Sequence, residues 1–465
     1  DVYKRQCWSG GFYRGSQVRH DVMDRATTTN VWRDRMKQDW KDRWTRRDFL
    51  KRAAGAGATL AFPNLVPSSV LGASAPSNQT TVGCIGVGGR GTGLLNDAAN
   101  QANVKIVAVC DVFQDRRERR AAELDKRYNG KVCTPYRDLR ELLARDDIDA
   151  VTIGTPDHWH VPAALMAVRS GKDVYVEKPL GLSMEEDIAI RREVQRYGRI
   201  FQYGTQQRSI AHVRFGCELV RNGRLGKIQS VEVTAPSYGY EGGSLEPIPV
   251  PEGFDYDLWL GPAQWRPYTK DRCTSWGAYW VLDNAHGFIG GWGAHPLTDM
   301  VWALGDDPMS SVPVEFEGTG KFGTGLFDAP YDWDIRGKFA GGASFHFTPG
   351  GDCAIITGEK GEVRISRGRL ITQPESLKQE RFGPGETRLY ESRQHMANFI
   401  ECVRTRRQTV APVEVAVMSD TITQLSMIAI YTGRKIKWDP VREVILDDPG
   451  ASQLLTRALR SPWHL

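Results

Sequence analysis

Three stretches of this chain carry groups whose types and spacing could do redox chemistry. The first, Gly86-Val87-Gly88-Gly89-Arg90-Gly91, follows an apolar run from Thr80 to Val87 and precedes a helix-like segment from Thr92 to Asn100. In that strand-turn-helix setting Gly86 permits the tight turn, Gly88 lets backbone approach a pyrophosphate, and Gly91 lets helix and strand pack closely. The phosphates, flanked by Gly89 and Arg90, belong at the helix amino terminus. A second apolar run, Val104 to Cys110, ends at Asp111, twenty residues past Gly91. A carboxylate there accepts both ribose hydroxyls of NAD and repels the 2′-phosphate of NADP, so NAD is the expected cofactor. Arg116 and Arg117 keep NADP as the less favoured choice. The other two stretches are Thr155-Pro156-Asp157-His158-Trp159-His160 and Glu177-Lys178-Pro179.

A parallel sheet is what must position these groups. Helical patterns at Asp115 to Tyr128, Arg137 to Ala144, His160 to Arg169 and Met184 to Arg196 alternate with apolar runs at Ala150 to Gly154, Asp173 to Glu177 and Ile200 to Tyr203. The alternation predicts an α/β class with a Rossmann doubly wound sheet over residues 80–205. Ligands of such sheets lie beyond the carboxyl ends of the strands, which is where Thr155, Pro156, His158, His160, Glu177 and Lys178 fall; these are expected to touch the cofactor. Residues 206–440 read as an α+β domain with a large, mostly antiparallel, open-faced sheet: helix Val213 to Asn222, strand Ile228 to Ala235, then alternating runs at Ile335 to Phe339, Ser344 to Phe347, Cys353 to Thr357 and Glu362 to Ser366. Helical spacing at Gln394 to Arg404 and Ser419 to Thr432 predicts helices that pack back on the first domain, and 441–465 reads as a strap. Six of the fourteen tryptophans lie between Trp259 and Trp302, interleaved with Tyr268 and Tyr279, and as a cluster they are expected to line a carbohydrate cleft.

With Gly291-Trp292-Gly293-Ala294-His295-Pro296 added, these motifs resemble the glucose-fructose oxidoreductase/inositol dehydrogenase (Gfo/Idh/MocA) family from about Thr80 to the carboxyl terminus. The resemblance implies that Lys178 is catalytic, that His295 ends the family's D-x-x-x-H pattern, and that the open sheet face makes a homodimer or homotetramer. The family's aspartate position, four residues before that histidine, is Gly291 here. Asp283 is the first choice to replace it, ahead of Asp299 and His286. Removing hydride from a carbinol carbon requires the hydroxyl proton to leave, so a base with a pKa near ambient is needed. His295 qualifies at its ordinary value. Lys178, beside an oxidised nicotinamide and partly desolvated, would be pulled down and could hold the hydroxyl oxygen or shuttle the proton. Pro179 is expected to fix the backbone where the lysine turns inward. Asp157 reads as a helix cap and His160 as packing near the nicotinamide, so no metal is expected.

Composition near globular averages, 40% hydrophobic and 25% charged, disfavours wholesale disorder and a membrane bundle. Much of the net charge of +5 comes from the stretch before residue 53, which leaves no basic face for nucleic acid. The eight cysteines lack CxxC spacing, which argues against a disulfide framework or zinc site. Asp1-Val2-Tyr3-Lys4-Arg5-Gln6 reads like translated library adapter, so residues 1–35 are expected to be an upstream artefact. Residues 36–75 hold Thr45-Arg46-Arg47-Asp48-Phe49-Leu50-Lys51 and an apolar run from Ala53 to Val66, and resemble a twin-arginine signal. That implies export of a folded protein to the periplasm by the twin-arginine machinery, carrying a tightly held NAD. The expected activity is hydride transfer between bound NAD and a hydroxyl of a sugar, cyclitol or glycoside. Its rivals are a glycosidase working by transient oxidation and elimination, a redox-silent NAD-binding scaffold motivated by Gly291, and a cytosolic biosynthetic dehydrogenase.

Overall fold

Six parallel strands, β1 (Thr80–Ile85), β2 (Val104–Cys110), β3 (Thr134–Tyr136), β4 (Ala150–Ile153), β5 (Asp173–Val176) and β6 (Phe201–Tyr203), form one sheet in the order β3-β2-β1-β4-β5-β6. The computed structural model describes residues 79–238 and 242–465; the upstream segment, the twin-arginine string and the apolar leader lie outside the described residues. Between the strands run α1 (Gly89–Ala99), α2 (Gln114–Arg127), α3 (Leu139–Leu143), α4 (His160–Arg169) and α5 (Met184–Tyr197). β4 and β5 are buried along their whole length, as strands covered on both faces must be. One face packs on Leu94 and Leu124, the other on Leu142, Leu165 and Ile190. Strand order reverses between β1 and β4, which opens a crevice there, and the predicted cofactor segments follow β1, β2, β4 and β5 at the same edge of the sheet. β3 is a three-residue edge strand containing Pro135, too short and too proline-broken for a periodicity argument to find.

The second half begins with α6 (Ala211–Arg221) and β7 (Ile228–Ala235), followed by α7 (Tyr256–Leu260), α8 (Ser275–Trp280), α9 (Gly287–Gly291) and α10 (Ala294–Leu304). Then come β8 (Glu315–Phe322), β9 (Pro330–Lys338), β10 (Ser344–Pro349), β11 (Cys353–Gly358), β12 (Gly361–Ile365) and β13 (Leu370–Gln373). With β14 (Ile436–Asp439) and β15 (Val444–Leu446) they make a nine-stranded sheet, antiparallel except where β10 pairs with β7. Val231, Val233, Phe345, Phe347, Ala354 and Ile356 point to a buried face, while Glu232, Glu317 and Arg336 stand on the other, polar face. This is the alternation of a sheet with one open side.

Two helices tie the halves together. α11 (His395–Thr405) sets Met396, Phe399 and Ile400 into the same core as Leu94 of α1. α12 (Val413–Thr432) is buried almost all round between α5, α10 and β8, and starts six residues earlier than its sequence pattern predicts. A helix without a polar face has no 3.6-residue alternation to mark its first turns. Its length and composition would suffice to cross a bilayer, yet here it sits inside the protein core. The chain then returns to the first half, where Trp463 packs edge-on against Trp159 at 4.8 Å, while the Arg460 guanidinium donates to Gly261 O of the second half at 2.8 Å.

Candidate cofactor cleft and acid–base site

The turn after β1 can only be built from glycine at two places. Gly86 has φ +75°, and a Cβ on Gly91 would lie 1.7 Å from Gly86 O. Past the turn, Gly88 caps α1 and nothing lies within 4 Å of where a Gly89 side chain would begin, so bare amides at a helix start face open space. Asp111 stands opposite. Val87 N donates to its Oδ2 at 2.9 Å and Phe113 N to its Oδ1 at 3.0 Å. Each oxygen keeps a further lone pair for a ribose hydroxyl. Burial pushes the Asp111 carboxyl up while these amides and Arg116 pull it back down. Arg90 Nε donates to Glu177 Oε1 at 2.8 Å across the cleft, where Gln206 also donates at 3.2 Å. A dinucleotide fits this cradle: free amides for the phosphates, a carboxylate for a ribose, and a lined cleft running on to Lys178.

At that end Lys178 Nζ donates to Gly291 O at 2.9 Å. The residue standing where the family pattern has an aspartate thus meets the lysine through its carbonyl. His295 follows four residues later, in the first turn of α10, 3% exposed and with Nδ1 unpartnered among the described residues. It lies behind the cleft lining rather than in it. Burial, then the charges of Lys178 and Arg367, hold its pKa well below the usual imidazole range. The expectation of an ordinary pKa there is corrected by α10, which buries the ring and holds the imidazole neutral. The Trp292 ring is edge-on to His295 at 5.8 Å and lies 5.9 Å from the Arg367 guanidinium.

The TPDHWH segment divides its side chains. His160 joins the two cofactor segments, Nδ1 within 2.6 Å of Pro179 O and Nε2 within 3.0 Å of Thr155 O. His158 does not line the cleft as expected; its Nε2 lies 2.9 Å from Trp259 O because the turn aims it at α7. Thr155 and Pro156 do line it. Asp157 makes no cap bond, and instead is 4% exposed, lines the cleft with Lys178, and has Oδ2 unpartnered among the described residues. Burial pushes it up to about 8, with Lys178 pulling the other way. Asp283 is held elsewhere, 3.2 Å from Arg266, outside the lining. Asp299 is wholly buried beside Arg208 and Asp352 and lines no cleft. The tryptophans do not act as one cluster: Trp280 and Trp302 are core, Trp265 is exposed, Trp259 lines the cofactor cleft and Trp292 stands at His295. Phe113, Leu258, Thr274 and Tyr279 also line the cleft. They lie on loops and short helices that only tertiary folding brings near the glycine turn.

Two profiles of one oxidoreductase family match the chain, the NAD-binding Rossmann fold over residues 80–205 and the C-terminal alpha/beta domain over residues 219–465. Among curated proteins, the chain is similar to a glycosyl hydrolase family 109 protein of Shewanella sp. (strain W3-18-1), with 38% identity over 160 residues, 30% of this chain and 35% of that protein. A match of 38% identity over 159 residues, with the same shares, joins it to an alpha-N-acetylgalactosaminidase of Shewanella oneidensis. The matched stretch spans about a third of those relatives. Among solved structures, the fold resembles the WlbA dehydrogenase from Bordetella pertussis in complex with NADH and UDP-GlcNAcA, with TM-score 0.59 and 16% identity over 78% of this chain and 98% of that one. It also resembles an aldose-aldose oxidoreductase from Caulobacter crescentus, with TM-score 0.56 and 18% identity over 77% of this chain and 99% of that one. The glycine cradle, the glutamate-lysine-proline segment and both matched domains together place this chain in the Gfo/Idh/MocA oxidoreductase family.

Proposed function

We propose that the protein transfers hydride between a bound NAD and a ring hydroxyl of a sugar, cyclitol or glycoside. The observation that carries this reading is the placement of Lys178 Nζ in the glycine-cradled cleft, 2.9 Å from the carbonyl of Gly291, four residues before His295. When bound, the nicotinamide supplies the hydride acceptor. Lys178 holds the reacting oxygen and takes its proton, the neutral His295 orients that hydroxyl, and Trp292 offers an apolar ring edge beside it. Gly88, Gly89 and Arg90 hold the phosphates, and Asp111 the ribose. Asp111 favours NAD, while the Arg116 guanidinium, 3.8 Å from the Phe113 ring centre, lines the same cleft and keeps NADP as the less favoured choice. The twin-arginine-like string supports export to the periplasm with the cofactor on board, and the polar open sheet face supports a homo-oligomer.

The glycosidase relatives favour a second reading, in which the same oxidation is followed by elimination, water addition and reduction, with no net redox. Purified protein tests both. Its extracted nucleotide should be NAD, and a panel of polyols, sugars and methyl glycosides should bleed electrons into the NADH absorbance band. Release of nitrophenol from a nitrophenyl glycoside without NADH build-up selects the second reading; neither signal, with NAD bound, overturns both.

A further inference from the structure

The cleft holds a carboxyl that neither cofactor binding nor the lysine–histidine pair uses. Asp157 opens the single-turn helix Asp157–Trp159 after β4 and is 4% exposed. Its Oδ2 has no hydrogen-bond partner among the described residues, and the residue lines the same cleft as Lys178 and Tyr279. Buried polar atoms in native proteins are almost always paired, so an idle carboxyl oxygen beside a reactive cleft is a group kept for a ligand or a proton. The Lys178 amine, meanwhile, donates to the Gly291 carbonyl, which can hold it in place but cannot accept its proton.

We propose that Asp157 is the proton-accepting partner of Lys178, supplying the carboxyl that position 291 lacks. The inference rests on the oxidoreductase reading above. As the substrate O–H bond breaks, its proton passes to Lys178 Nζ, and the lysine gives up one of its own N–H protons through a water in the cleft to the ionised Asp157 carboxylate. The electron pair of the carbinol C–H bond leaves as hydride to the nicotinamide, so the substrate is oxidised, the nicotinamide reduced, and the released proton rests on Asp157. The groups facing this carboxyl are Lys178 and Glu177 beyond β5, Tyr203 of β6, Asp420 of α12 and Tyr279 of α8. Burial holds Asp157 up, to about 8, so the carboxylate that can accept the proton forms as pH rises through that value, and the rate is expected to rise with it.

The test uses Asp157→Asn, which keeps shape and removes the acceptor, and Asp157→Glu, which restores it. With cofactor-free protein at about pH 9, where Asp157 is ionised, acetylation of Lys178 by acetic anhydride, followed by mass spectrometry, is expected to be about 5-fold faster in Asp157→Asn than in wild type, because the amine no longer faces a carboxylate. With the holoenzyme and the polyol giving the strongest NADH signal, Asp157→Asn is expected to lower kcat about 100-fold at nearly unchanged KM and to lose the rise in rate with pH, while Asp157→Glu regains part of both. Wild-type labelling, or a kcat loss with the pH profile intact, overturns the proposal. If Lys178→Ala also turns over normally, the parent reading has failed; if only Asp157→Asn does, this inference alone has.

Discussion

An amine held against a carbonyl is well placed but needs chemistry around it, and the neighbourhood of Lys178 supplies a neutral imidazole, which also faces the Arg90 and Arg367 guanidiniums, and a buried carboxyl. Replacing Lys178 with Ala should therefore lower turnover at least about 100-fold while leaving the nucleotide bound, measured as kcat and as the NAD content of purified protein; undiminished turnover refutes the assignment. The glycines, Asp111 and Lys178 were legible in the sequence because their spacing is tied to strand ends. His295 was legible as a position only, since the burial that keeps it neutral comes from the packing of α10. Asp157 and Asp283 were misjudged for one physical reason: which way a carboxylate turns at a loop depends on tertiary partners, Arg266 for one and a cavity for the other.

The segment that aims Lys178 is braced from far along the chain. Gly181 N donates to Asp420 Oδ2 at 3.4 Å, Gln424 donates to Gly181 O at 3.1 Å, and Leu182 N donates to Glu186 Oε2 at 2.7 Å. Asp187 faces Asp420 across this loop, and a Cβ on Gly181 would meet Asp187 Oδ1 at 2.6 Å. Burial and mutual repulsion hold Asp187 well above the carboxylate range, and burial raises Asp420 to about 6. Both folded values exceed the unfolded one, so the pair's contribution to stability is full in mild acid, near the unfolded carboxylate value, and is lost as pH rises through about 6. The urea midpoint is expected to fall between about pH 5 and about pH 8, and Asp187→Asn to flatten that fall; an unchanged slope would rule the pair out as its source. At this scale strands and helices of the first half were readable from alternation, whereas α12 was half-hidden by having no polar face and β3 by its brevity.

Across the whole molecule the terminal strap reaches the cofactor cleft. Arg460 holds Gly261 O and the Asp257 carboxylate, Gln264 donates to Ala458 O at 2.9 Å, and Trp463 packs on Trp159, whose indole donates to Leu258 and Trp259 carbonyls. Leu258 and Trp259 line the cleft. Removing residues 457–465 should speed NAD release about 10-fold with little change in denaturation midpoint, read by stopped-flow displacement; an unchanged rate means the strap does not guard the cofactor. That reach between distant segments was invisible in the sequence, where the tail has no pattern of its own. α12 carries a different consequence. Because this buried helix of the second half is wedged against α5 and grips the loop beyond Lys178, a clamshell opening about a hinge would pull it from the core. Substrate must come and go through side chains and short loops at the mouth, leaving the lysine's aim undisturbed from one turnover to the next.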